Sequence, residues 1–180
     1  MDDPVNFGGI GLVIGHELTH GFDDQGRQFD PEGNLRDWWT PTDAQEFEKR
    51  ANCVVDEYSN FVAVDDLKLN GKLTLGENTA DNGGARIALM ALHELMAQTK
   101  QDPAKKIDGY TPDQRYFLGF ARAWCENTTA ENLRLRVRTD PHSPGRWRVN
   151  GVVQNMPEFQ SAFQCKAGQP MAVPKACRVW

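Results

Sequence analysis

His16-Glu17-Leu18-Thr19-His20, set between Gly15 and Gly21, is the stretch from which this chain is read. Upstream of it Ile10, Val13 and Ile14 fall on one side of a helix and Gly21 stops the pattern, so the spacing predicts a helix from about Gly8 to Phe22. Four residues at about 100° each return the second histidine to within roughly 40° of the first, and both imidazoles then project from one face toward one point. Such a pair suits a divalent metal, zinc above all. Glu17 lies one step round the helix, beside the coordination position left for water, where a carboxylate acts as general base. Residue frequencies give about 0.005 accidental matches to this pattern in a chain of this length, so the spacing alone is moderately specific, and its helical setting between glycines adds to it.

A catalytic metal needs a third protein ligand. Gly76-Glu77-Asn78-Thr79-Ala80-Asp81 supplies a candidate, because Glu77 and Asp81 are four apart and share a face at the start of a helix that runs to about Thr99. One carboxylate can bind metal while the other accepts a ring N–H from a ligand histidine and fixes its tautomer. Read without the histidines, the two are ordinary acidic residues stabilising a helix N-terminus. Gly83 and Gly84 follow inside the helix, each costing about 1 kcal/mol against alanine, a cost that marks close packing against the histidine helix.

The 180 residues make one domain's worth of chain, able to bury about 70% of the surface exposed on unfolding. A composition 39% hydrophobic and 25% charged excludes disorder. The formal net charge of -5 and the scattered arginines offer no basic face, which excludes nucleic acid as a partner. The one strongly apolar run near the start, Ile10 to Ile14, leads straight into His16 and Glu17, so no membrane segment is read there. Met1-Asp2-Asp3-Pro4 lacks the basic stretch of a secretory leader, and the expectation is a chain that has lost its leader or starts inside a longer protein. Cys53, Cys125, Cys165 and Cys177 are even in number and widely spaced, which fits disulfides and an oxidising compartment, with buried free thiols as the alternative.

With no repeat and no Pro/Gly-rich linker, residues 1–180 read as one mainly α domain with little β. Asp23 to Leu35 is turn-rich, with a hairpin expected near Gln28 to Trp38. Thr40 caps and Pro41 opens a long helix through Phe47, Val54, Tyr58 and Phe61, and a polar stretch, Asp65 to Lys72, interrupts before the Glu77 helix. Thr111-Pro112 starts another helix through Phe117, Phe120 and Trp124. Beyond Cys125 the helical signal weakens, Thr139 to Gly145 is a loop, and Met156 to Phe163 is a short last helix. His93 reads as a packing or helix-surface histidine, and Asn127-Thr128-Thr129 as a glycosylation sequon by pattern alone.

The segments His16 to Asp24 and Gly76 to Gly84 together resemble the neprilysin and endothelin-converting-enzyme family of zinc endopeptidases. The likeness extends to Asn6-Phe7-Gly8-Gly9-Ile10-Gly11, Asp37-Trp38-Trp39-Thr40, Asp140-Pro141-His142-Ser143-Pro144-Gly145 and Cys177-Arg178-Val179-Trp180, so that it covers essentially the whole chain. It implies the C-terminal, helical part of a zincin-type, thermolysin-like catalytic region, with one zinc per chain on His16, His20 and Glu77 and with Glu17 as base. It also implies that Asp23 partners His20, Asp81 partners His16, His142 stabilises the oxyanion and Arg148 holds a backbone carbonyl of a peptide substrate. By spacing alone His142 is only a loop histidine. Leu12, Val13, Ala123 and Trp124 fall where the family lines the pocket after the scissile bond, implying a large apolar residue there; plain core packing is the alternative.

Members of that family are several times longer, with a helical portion and a sheet preceding this region. Only 15 residues precede His16, too few for a sheet, so the expectation is a zinc site complete in itself beside an incomplete cleft. The resemblance pairs Cys53 with Cys177 and leaves Cys125 and Cys165 reduced, paired with each other or bonded to a separate chain. Apolar area left uncovered on the metal helix implies self-association or contact with a preceding portion. The implied location is extracellular or periplasmic.

Overall fold

Asp2 accepts a hydrogen bond from the Val5 N–H at 3.2 Å and Pro4 sits in the first turn, so the N-terminal helix starts earlier than the periodicity predicts. The computed structural model describes residues 2–180. Helix α1 (Asp3–Asn6) passes through a widened π turn, Phe7–Gly11, directly into α2 (Leu12–His20). α3 (Pro41–Tyr58) is capped by Thr40, which accepts from the Asp43 N–H, and its stripe of Phe47, Ala51, Val54 and Tyr58 is buried. α4 (Leu75–Gln98) carries Glu77 in its first turn. α5 (Pro112–Ala123) opens on a capping box between Thr111 and Gln114. α6 (Ala130–Thr139), α7 (Gly145–Val153) and α8 (Pro157–Ala162) complete the chain.

The mainly α expectation holds, with three local corrections. A two-stranded antiparallel ribbon, β1 (Val62–Val64) and β2 (Leu67–Lys68), straddles the start of the stretch read as a polar interruption, its turn carried by Asp65 at φ 52°. The hairpin expected at Gln28 to Trp38 is a single bridge between Phe29 and Leu35. There Asp30 Oδ1 accepts from the backbone N–H of Glu32 and Asn34, and Pro31 has no N–H to give, so the segment closes as a turn rather than a ladder. α6 and α7 also form where the helical signal had weakened. α6 buries only Val137, so it has almost no apolar periodicity to read and relies on the Thr129 cap.

One core gathers Leu12, Ala85, Leu89, Leu92, Tyr116, Phe120, Val152 and Met156 from α2, α4, α5, α7 and the start of α8. A second packs Phe47, Val54 and Tyr58 of α3 against Leu69, Leu75, Val137 and Val179. Between them α2 and α4 cross backbone to backbone. A Cβ added at Gly15 would lie 2.8 Å from the Gly84 carbonyl oxygen, and one at Gly84 would lie 2.4 Å from the His16 nitrogen. Gly83 leaves room for the Thr19 side chain, whose Cγ2 would lie 2.7 Å from an added Cβ, so the glycine pair inside α4 has the packing role expected of it. Cys53 and Cys177 form a disulfide that ties α3 to the C-terminal tail, while Cys125 and Cys165 are unpaired.

Two outcomes follow for stability. Gly84→Ala forces a methyl into the His16 backbone and is expected to separate α2 from α4, lowering both the melting temperature and the affinity for metal, as read by calorimetry. Replacing Cys53 and Cys177 by serine releases a closure spanning 124 residues. It is expected to cost about 4 kcal/mol and on the order of 10 °C in Tm, measured by urea and thermal unfolding with and without reductant.

Candidate metal centre

Two turns of α2 present His16 and His20 side by side, their Nε2 atoms 3.0 Å apart and their rings edge to face. Each ring's other nitrogen is committed. His16 Nδ1 lies 2.8 Å from Asp81 Oδ1, and His20 Nδ1 lies 2.6 Å from Asp23 Oδ2. A carboxylate accepts, so both Nδ1 atoms carry a hydrogen, and the two Nε2 atoms are the ones turned toward a shared metal. Glu77 arrives from α4, with Oε2 3.3 Å from His16 Nε2 and Oε1 3.6 Å from His20 Nε2. One ligand atom from each of the three residues falls within 4.8 Å of the others. Tetrahedral arms of about 2.0–2.1 Å put ligand atoms roughly 3.3 Å apart, so this donor set fits zinc.

The surroundings favour positive charge at that point. Burial opposes a protonated His16, but its hydrogen bonds to Asp81 and Glu77 outweigh that and lift its pKa to about 9. Burial likewise works against a charged Glu77, yet His16, His142 and Arg148 hold its pKa below the ordinary glutamate value. Asp81 has no exposed surface and receives Arg148 in a two-pronged bond, Nε to Oδ2 at 2.8 Å and Nη2 to Oδ1 at 2.7 Å. Arg148 Nη2 also reaches Glu77 Oε2 at 3.3 Å, and its guanidinium lies 3.8 Å from the centre of the Trp124 ring. Nη1 has no hydrogen-bond partner among the described residues. Asp23 is fixed in turn, its Oδ1 accepting from the N–H groups of Gln25 at 2.8 Å and Gly26 at 2.7 Å.

His142 stands on the loop between α6 and α7, its Nε2 3.2 Å from Glu77 Oε1 and its Nδ1 2.8 Å from Asp140 Oδ1. Ser143, fully buried behind it, donates to Asn78 Oδ1 at 2.8 Å and pins the loop to α4. Glu17 points outward from α2, exposed and without a hydrogen-bond partner among the described residues. Of the four residues read as pocket lining, Val13 and Trp124 are half-buried and Ala123 is exposed at the end of α5. Leu12 is the exception: with 0% of its surface exposed it belongs to the core, because its position on α2 faces Ala85 and Leu89 rather than solvent. His93 pairs with Asp113 at 2.8 Å, away from the metal ligands.

Two contacts were not read from the sequence. Asp140 orients His142, and the Asp-Pro-His order two residues apart is the signal that could have revealed it. The pairing of Arg148 with Asp81 spans 67 positions and leaves no local trace.

A model of peptidase family M13 matches residues 1–179. Neprilysin-1 of Caenorhabditis elegans is 48% identical over 179 residues, which are 98% of this chain and 24% of that protein. Endothelin-converting enzyme 1 of Homo sapiens is 46% identical over 176 residues, 98% of this chain and 23% of that protein. The zinc metalloprotease ZMP1 of Mycobacterium tuberculosis, solved with an inhibitor, superposes with a TM-score of 0.91 at 41% identity, covering 99% of this chain and 28% of that one. PepO from Lactobacillus rhamnosis gives a TM-score of 0.82 at 34% identity over 95% of this chain and 25% of that one. The chain thus spans about a quarter of the length of the curated relatives it matches.

The geometry makes a direct test of the ligand set. The purified chain is expected to retain one zinc after dialysis, measured by elemental analysis. Glu17→Gln should keep that stoichiometry, whereas Glu77→Gln and His16→Ala should lower affinity by a hundredfold or more.

Proposed function

The chain belongs to peptidase family M13, and from that premise we propose that it holds one zinc ion and serves hydrolysis of oligopeptides on the amino side of large hydrophobic residues. The observation that carries the proposal is the convergence of His16, His20 and Glu77 with both remaining imidazole nitrogens held by carboxylates. A structural zinc site closes its fourth position with protein, whereas three ligands beside an unpartnered glutamate leave it open.

Zinc bound there supplies Lewis acidity, lowering the pKa of water toward about 7 and polarising a carbonyl. The chain's own groups do the rest. Glu17, unpaired at the outer face of α2, takes the proton from the attacking water and delivers it to the leaving amine. His142 donates to the oxygen that gains charge, with Asp140 behind it fixing the ring. Arg148 braces Asp81 and keeps Nη1 for a backbone carbonyl of the peptide. Val13, Ala123 and Trp124 receive the apolar side chain, Leu12 supporting them from the core.

A second reading, in which the chain binds zinc but cleaves little on its own, is favoured by an exposed row on the metal helix: Ile10 at 64%, Ile14 at 57% and Leu18 at 62%. Such a row suits contact with further protein surface, whether another copy of the chain or another portion of a longer one. Among the described residues no helix is long and apolar enough to cross a membrane. The Cys53–Cys177 bond supports an extracellular or periplasmic setting.

A quenched peptide with a large hydrophobic residue after the cleavage point separates the readings. Cleavage that stops on chelation, resumes with zinc, and falls by at least a thousandfold in Glu17→Gln with zinc still bound is the expected result. Undiminished cleavage in that variant removes Glu17 from its role, and absent cleavage by the zinc-loaded chain leaves the second reading standing.

A further inference from the structure

We propose that Glu126 is a positioning residue that sets His142 and Arg148 together, an inference that rests on the peptidase reading above. Its two carboxylate oxygens serve two branches. Oε1 accepts from the Gly145 N–H at 2.7 Å, and Oε2 accepts from Arg136 Nη1 at 3.2 Å. On the second branch Arg136 Nε donates to Asp140 Oδ2 at 2.9 Å, and Asp140 Oδ1 accepts from both the backbone N–H and the Nδ1 of His142 at 2.9 and 2.8 Å. On the first branch Gly145 opens α7, and one turn further on stands Arg148.

The chain around Glu126 fits this role. A Cβ at position 145 would lie 2.4 Å from the Trp124 carbonyl oxygen and 3.1 Å from Glu126 Cγ, so α7 begins directly against residues 124–126. Trp124 in the same segment supports the Arg148 guanidinium. The loop bearing His142 is therefore clamped at both ends by one side chain, from the last turn of α6 and from the first residue of α7. Catalytic groups need placement within about 0.5 Å, which a free loop does not provide. The competing account is that Glu126 is a half-exposed ion pair of little consequence.

The test uses the zinc-loaded full chain. Glu126→Ala is expected to lower kcat on the quenched peptide about tenfold, with zinc content and melting temperature nearly unchanged. In a His142→Ala background the same change should lower kcat by a clearly smaller factor, because only the branch toward Arg148 is left for it to act through. Glu126→Gln, which keeps an acceptor for Gly145, should fall between. A second readout is independent of turnover: in 15N-labelled protein the ring resonances of His142 should shift or broaden in Glu126→Ala while those of His93 stay in place. An equal loss in both backgrounds, or unmoved His142 resonances, overturns the proposal. Should His142→Ala cleave as fast as the unmodified chain, the role given to His142 fails instead, and should the unmodified chain not cleave at all, the peptidase reading fails; in either case the resonances alone decide whether Glu126 positions the ring.

Discussion

The close crossing of α2 and α4 governs everything else in this molecule. Helices usually pack with axes about 8–10 Å apart, a spacing set by the side chains between them. Here Gly15 and Gly84 remove those side chains, and the backbones touch. Only at that separation does a short glutamate on one helix reach the same point as two histidines on the other. The approach also explains why α4 tolerates two consecutive glycines in a helix of 24 residues. The local penalty is repaid by a contact that no side chain permits.

Electrostatics then turns a steric coincidence into a site. Asp81 is a carboxylate without any exposed surface, an expensive thing to bury alone. It is stable because Arg148 meets it with two hydrogen bonds and His16 with a third. Glu77 sits at the junction of His16, His20, His142 and Arg148, and that ring of donors keeps it charged despite burial. The result is a pocket whose acidic and basic partners balance until a cation arrives between the imidazoles.

What could be read in the sequence was what is local. The spacing of His16, Glu17 and His20 specifies a helix face, and Glu77 with Asp81 specifies another, because helical geometry relates residues four apart without any knowledge of the fold. The helices α3 and α5 announce themselves by apolar stripes and by Thr-Pro starts. α6 and α7 did not, since one buries a single apolar residue and the other is nine residues long, starting behind a cluster of breakers. The ribbon at Val62 to Lys68 was hidden by its brevity. The roles of Asp140 and of Arg148 toward Asp81 depend on segments meeting in space, and for His142 and the Cys53–Cys177 pairing only likeness to a family, not spacing, pointed the way.

The covalent ring closed by Cys53 and Cys177 divides the candidate metal ligands and their partners unevenly. Glu77, Asp81, His142 and Arg148 lie within the ring, whereas His16 and His20 lie outside it, on the helix that precedes Cys53. An ion shared by the three ligands is therefore a second cross-link, one that staples the outer segment to the enclosed body. Chain topology thereby gives the metal an architectural duty beside its chemical one: reduction opens the ring and leaves the staple, while chelation removes the staple and leaves the ring, so that the two losses loosen different halves of the same centre.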